Sequence, residues 1–98
     1  TPEGAARILG DALALDGAGA CAIVLESMRA PVAAEVTRQV GAATIGIGAG
    51  RDCDGQILVV HDLLGAFPWF CPPFATPRAD VASETTRAVA EYIAAVRG

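Results

Sequence analysis

The sequence predicts an α/β fold built on a parallel sheet wound by right-handed βα units. Three observations predict it. Segments with apolar residues at helical spacing alternate with short continuous apolar runs, and those runs are bounded by glycine or charged residues. In addition, 53% of the 98 residues are apolar while only five are aromatic, which is the make-up of a packed Ala, Val, Ile and Leu interior.

Glu3 to Asp16 carries Ala6, Ile8, Leu9, Leu13 and Leu15 among small residues, the pattern of an amphipathic helix that Gly17 and Gly19 end. Cys21 to Leu25 is a continuous apolar run, expected as a parallel strand covered on both faces, with Glu26 at its carboxyl end. Pro31 suits the first turn of a second helix, in which Val32, Val36 and Val40 recur at four-residue spacing and Glu35, Thr37 and Arg38 turn outward, up to Gly41. Thr44 to Ile47 reads as the next strand, broken by Gly48-Ala49-Gly50, and Gln56 to Val60 as a third, ended by His61-Asp62. Phe67 to Pro77 holds four prolines together with Trp69, Phe70 and Phe74, so an ordered loop is expected there. Asp80 to Arg97 closes the chain as a helix with an apolar stripe through Val81, Thr85, Ala88, Val89, Tyr92, Ile93 and Val96.

Seven basic against eleven acidic side chains give a net charge of −4 without charge runs, which argues against nucleic acid or an anionic membrane surface as partner. A small metabolite fits better. No apolar stretch approaches the ~20 residues of a membrane span, and the first residues lack a signal-peptide pattern. The three cysteines Cys21, Cys53 and Cys71 form no CxxC pair and cannot close a full disulfide framework, which points to a reducing, cytoplasmic compartment. Cys53, Asp54, His61 and Asp62 match no zinc spacing.

Ligands of open α/β sheets and barrels bind at the carboxyl ends of strands. That end would present Glu26, the Gly48-Ala49-Gly50 turn and His61-Asp62 on one face. Glu26 follows directly on Ile23-Val24-Leu25, where desolvation would suit it to act as a general base; pairing with Arg29 or Arg51 is the structural alternative. Gly46 to Gly50 admits two readings, an anion cradle of backbone amides or close backbone packing. His61 could carry protons, although a histidine beside Asp62 is more often simply hydrogen-bonded. Ile45, Ile47, Ile57 and Val59 lie at period two, so they either shape an apolar pocket or pack a core.

Read together, Asp11-Ala-Leu-Ala-Leu, Gly19-Ala-Cys-Ala-Ile-Val-Leu-Glu26, Thr44-Ile-Gly-Ile-Gly-Ala-Gly50 and Cys53-Asp-Gly-Gln-Ile-Leu-Val-Val-His-Asp62 resemble the last third of the ketopantoate hydroxymethyltransferase family. The run from Cys53 to Gly65 is the most specific, and the likeness continues through Arg78-Ala-Asp-Val-Ala82. The resemblance implies that residues 1–98 are the carboxyl-terminal segment of a single (β/α)₈ TIM barrel of the phosphoenolpyruvate/pyruvate superfamily, with about three βα units. A closed barrel of this kind takes about 200 residues or more, so this chain would be a part of one.

The resemblance also implies transfer of a one-carbon unit from methylene-tetrahydrofolate to α-ketoisovalerate, giving ketopantoate for pantothenate and coenzyme A, with Mg2+ holding the keto acid. Glu26 matches the family's proton acceptor, and Ile47, Ile57 and Val59 its apolar positions near the branched end of the substrate. No metal ligand is expected on this chain, because the family's magnesium carboxylates, its substrate-binding serine and its lysine belong to earlier strands. The partners implied are a small keto acid and a folate, in a homo-oligomer, and the 98-residue chain alone is expected to be inactive. Arg29 and Ala43 depart from the family's usual prolines. Two rival readings are a non-catalytic partial barrel that docks on another chain through its sheet edges, and a phosphate-binding barrel piece.

Overall fold

Thr1 begins the first helix by capping it: its Oγ1 accepts from Gly4 N at 3.0 Å, and Pro2 and Glu3 fill the first turn of α1, Pro2–Gly17. The computed structural model describes all 98 residues, which form two units, Thr1–Ile57 and Leu58–Gly98. After α1 the chain turns at Gly19, φ 99°, with Ala20 N donating to Leu15 O at 3.1 Å. The buried face of α1 consists of Ala12 with Ile8 and Leu9 packed nearby, whereas Leu13 and Leu15, expected in the stripe, are exposed.

Strand β1, Ala22–Glu26, has strict alternation: Ile23 and Leu25 are buried, while Ala22, Val24 and Glu26 are exposed. The expectation of cover on both faces is therefore corrected. The helices of this unit cover one face only, and Val24 on the other is 55% exposed. Helix α2, Ala30–Gln39, opens with Pro31 in its first turn and buries Ala33 and Val36 completely. It ends where Val40 adopts extended backbone, φ −94° and ψ 150°, one residue before Gly41. Thr37 does not turn outward as its spacing suggested. Its hydroxyl lies 2.9 Å from that of Thr44, which is fully buried in β2, Ala43–Ile47.

That buried hydroxyl is satisfied from both sides. The Asp54 carboxylate accepts from Thr44 N at 2.8 Å and from Thr44 Oγ1 at 3.3 Å, while Asp54 N donates to Thr44 Oγ1 at 3.1 Å. A buried polar group is tolerated on that condition. Asp16, at the end of α1, accepts from Gly41 N and Ala42 N at 2.9 Å each, tying the first helix to the entry of β2.

Strands β1, β2 and β3, Gly55–Gln56, lie side by side in that order, all parallel. β1 and β2 are joined through α2; the Gly48 to Asp54 link from β2 to β3 contains no helix. The third strand expected over Gln56 to Val60 is cut short. β2 turns away after Ile47 at Gly48, φ 65°, so the ladder continues for only one more bond, Ile57 N to Gly46 O at 3.0 Å. Without a partner, the Val59 carbonyl instead accepts from Asp62 N and Leu63 N and starts a helical turn, α3, Val60–Leu63. His61 and Asp62 thus belong to α3 and do not end a strand, so the common strand-end face expected for them is withdrawn.

Within the second unit the proline-rich segment forms no helix or strand, as expected. It is a closed excursion: Arg78 N donates to Leu63 O, Val81 N to Leu64 O and Ala82 N to Gly65 O, at 2.7, 3.0 and 3.0 Å. Gly65, φ 63°, approaches Ala79 O so closely that an added Cβ would stand 2.5 Å from it. Helix α4, Val81–Arg97, is capped by Asp80, whose Oδ1 accepts from Ser83 N at 3.2 Å, and it contains no buried residue. No helix is long and apolar enough to cross a membrane.

Candidate active site at the end of the parallel sheet

Pairing in register aligns side chains across the sheet. Val24 pairs with Ile45 and Ile45 with Gly55; one layer nearer the carboxyl ends, Glu26 pairs with Ile47. Side chains alternate along a strand, so these residues share the face opposite α1 and α2. Ile57 extends the outer layer. It lies one residue past Gln56, whose side chain reaches the Gly46 side of the strand, so alternation sets Ile57 beside Ile47. In strand order the outer layer is then Glu26 on β1, Ile47 beside it on β2 and Ile57 beyond, with Ile47 buried and Ile57 half exposed.

Glu26 is exposed and forms no ion pair with Arg29 or Arg51. The alternative role of a paired strand-end glutamate is therefore unmet, and so is the burial expected for it. Val59 lies in the second unit, with extended backbone at the start of α3, and is 47% exposed. The structure brings together Glu26, Ile47 and Ile57; the period-two link from Ile57 to Val59 ends at the helical turn.

Directly after Glu26 the backbone does something no residue pattern announces. Ser27 has φ 49°, the only non-glycine residue of the chain in the left-handed region, a conformation that costs of order 1–3 kcal/mol for such residues. Its N–H still donates to Ile47 O at 2.8 Å. Glycine at this position would have been a readable signal; serine is not.

The glycine turn is explained by packing. A Cβ on Gly46 would stand 2.9 Å from Cys53 Sγ, and one on Gly50, φ 84°, 2.5 Å from Ala30 Cβ. Gln56 Nε2 donates to Gly50 O at 3.0 Å, and no helix begins after Gly50 to aim its amides at an anion. His61 stacks on Phe67, ring centroids 5.1 Å apart at 15°, and not on a hydrogen-bonding partner. The three cysteines are free. Nowhere do three or more His, Cys, Asp or Glu side chains converge to hold a metal ion. Magnesium takes several oxygen ligands, and a lone carboxylate with an isoleucine beside it does not fit it.

Against known proteins, the family model described as ketopantoate hydroxymethyltransferase matches residues 1–98. The chain belongs to the ketopantoate hydroxymethyltransferase family. It is 54% identical over 91 residues to a 3-methyl-2-oxobutanoate hydroxymethyltransferase of Trichodesmium erythraeum, covering 93% of this chain and 34% of that protein. It is 50% identical to the enzyme so named from Azoarcus sp., over 97% of this chain and 35% of that protein. A relative of the same name from Cenarchaeum symbiosum is 51% identical, over 98% of this chain and 37% of that protein. The chain spans about a third of the length of these hydroxymethyltransferases.

Arg29 and Ala43, where the resemblance leads one to expect prolines, differ in the backbone. Arg29 precedes α2 at φ −66°, a value proline also adopts. Ala43 uses its N–H in a 3.1 Å bond to Cys21 O, which proline could not make.

Proposed function

We propose that the complete protein to which these residues belong is a (β/α)₈ barrel enzyme that transfers a hydroxymethyl group from methylene-tetrahydrofolate to α-ketoisovalerate, forming ketopantoate for pantothenate biosynthesis. The observation that carries the reading is Glu26: in a chain matched to the family from end to end, the unpaired carboxylate is the last ladder residue of β1, next to Ile47. Its role is to take the proton from the carbon beside the keto group, so that this carbon can bond to the one-carbon unit while water supplies the new hydroxyl and tetrahydrofolate leaves. Ile47 and Ile57 form the apolar wall against the branched methyl groups.

Magnesium, on this reading, is held by parts of the complete enzyme outside residues 1–98, since the residues near Glu26 do not fit it. The 98-residue chain alone is therefore inactive. Free cysteines agree with a cytoplasmic, reducing setting. The exposed apolar stripe of α4, including Val89, Tyr92 and Val96, agrees with assembly into a homo-oligomer.

The test is exchange of the keto acid's C–H proton with deuterated water, followed by NMR in the complete enzyme carrying this segment. Glu26→Gln is expected to slow exchange by about 10²- to 10⁴-fold while the keto acid still binds. Unchanged exchange would sink the assignment. A second reading, a non-catalytic module that completes itself on a partner, draws on the exposure of Val24 and Ile57. A stable complex without turnover would favour it.

A further inference from the structure

Strand β1 is held through its final residue: Glu26 pairs with Ile47, and the following N–H, that of Ser27, donates to Ile47 O at 2.8 Å. The chain must leave the sheet immediately afterwards to reach Arg29 and α2, whose first turn contains Pro31. It does so by turning Ser27 to φ 49°. The Ser27 hydroxyl takes part in none of the chain's side-chain hydrogen bonds, so what the position supplies is a backbone shape and not a polar contact. The peptide between Glu26 and Ser27 is thereby fixed at both ends, by the ladder bond and by the left-handed turn. That peptide holds the Glu26 Cα against β2, and with it the root of the carboxylate side chain.

We infer that Ser27 is a positioning residue, whose left-handed backbone aims the Glu26 carboxylate at the substrate proton. The inference rests on the proposed role of Glu26 as base. A residue that resists the left-handed region loosens the bond to Ile47 and lets the end of β1 shift, carrying the Glu26 Cα and its carboxylate with it, while the groups that bind the keto acid stay in place. A misplacement of about 1 Å is already costly for a reacting group. Glycine and asparagine accept positive φ readily, whereas β-branched residues do not.

The experiment compares Ser27→Gly, Ser27→Asn and Ser27→Thr in the complete enzyme carrying this segment, by deuterium exchange into the keto acid, with kcat and KM determined per folded active site. Ser27→Gly and Ser27→Asn are expected to keep kcat within about twofold, and Ser27→Thr, which retains the hydroxyl, to lower kcat about tenfold or more with KM little changed. The reverse ranking, with threonine active and glycine impaired, overturns the inference in favour of a role for the hydroxyl. Equal kcat in all three overturns it as well. Should Ser27→Thr fold too poorly to measure, full kcat in both Ser27→Gly and Ser27→Asn still supports the inference, and loss in either refutes it. Glu26→Gln is run alongside: if that variant exchanges normally the base assignment has failed, whereas a dead Glu26→Gln with a normal Ser27→Thr means that only the positioning inference has failed.

Discussion

The two units of the chain have helices of the same kind and very different interiors. In Thr1–Ile57, α2 buries Ala33 and Val36 completely against a core that includes Ile23, Leu25 and Ala49. In Leu58–Gly98 only Ala75 is buried among the apolar residues, and the 17-residue α4 leaves Val89, Tyr92 and Val96 largely exposed. An apolar stripe at helical spacing thus specifies that a helix has a face, not that the same segment supplies its cover.

The sharpest way to break the comparison is to remove equivalent side chains from each helix. In the 98-residue chain, Val36→Ala is expected to cost about 2 kcal/mol through lost burial and an unfilled space, while Val89→Ala in α4 stays within about 0.5 kcal/mol. Urea unfolding followed by circular dichroism measures both. An equal cost would mean that α4 is packed in solution and that the contrast is false.

Polar contacts extend the contrast at somewhat smaller size. Asp16→Ala strands the amides of Gly41 and Ala42, the latter in a buried residue, and should cost about 1–3 kcal/mol. In α4, Arg87 bridges Glu84 and Glu91, all three well exposed, and Glu91→Ala should be nearly silent in the same assay. A loss as large as that of Asp16→Ala would show the surface network to be coupled to packing.

The smallest expected effect is a pH dependence. On α2, hydrogen bonds from Gln39 and then Arg38, with the Arg38 charge, hold the Glu35 carboxyl below its ordinary value. A lowered folded value gives stability that is present above the unfolded value and lost as pH falls through the folded one. The pair is solvent-exposed, so Gln39→Ala together with Arg38→Ala should flatten the acid limb of the stability curve only slightly. A large change would show the pair to be shielded.

Much of the first unit could be read from residue patterns, because its signals are local. Pro31, the four-residue spacing of the valines and the apolar run closed by Glu26 each mark an element within a residue or two. The third strand could not be read in this way. Ile57 to Val60 is as apolar as any strand, but a ladder needs a neighbour, and β2 turns at Gly48 before the run is complete. Thr37 misled for a similar reason: periodicity treats a hydroxyl as outward-facing, and only the buried Thr44 opposite makes an inward one tolerable. At the candidate site, Glu26 is visible as a charge ending an apolar run and Ile47 as one of four apolar residues at period two, but their pairing across strands is seen only in the structure. Ser27 is not visible in this way, since serine carries no preference for the left-handed backbone it adopts.

The contact of Gly50 with Ala30 has a consequence for how such sequences can change. The two positions are far apart along the chain, yet Gly50 cannot gain a methyl group without displacing Ala30. Their histories are therefore linked: a side chain at position 50 needs a background in which position 30 has already yielded. Exchange of the glycine turn between relatives, by recombination or by design, should succeed only when the start of α2 travels with it.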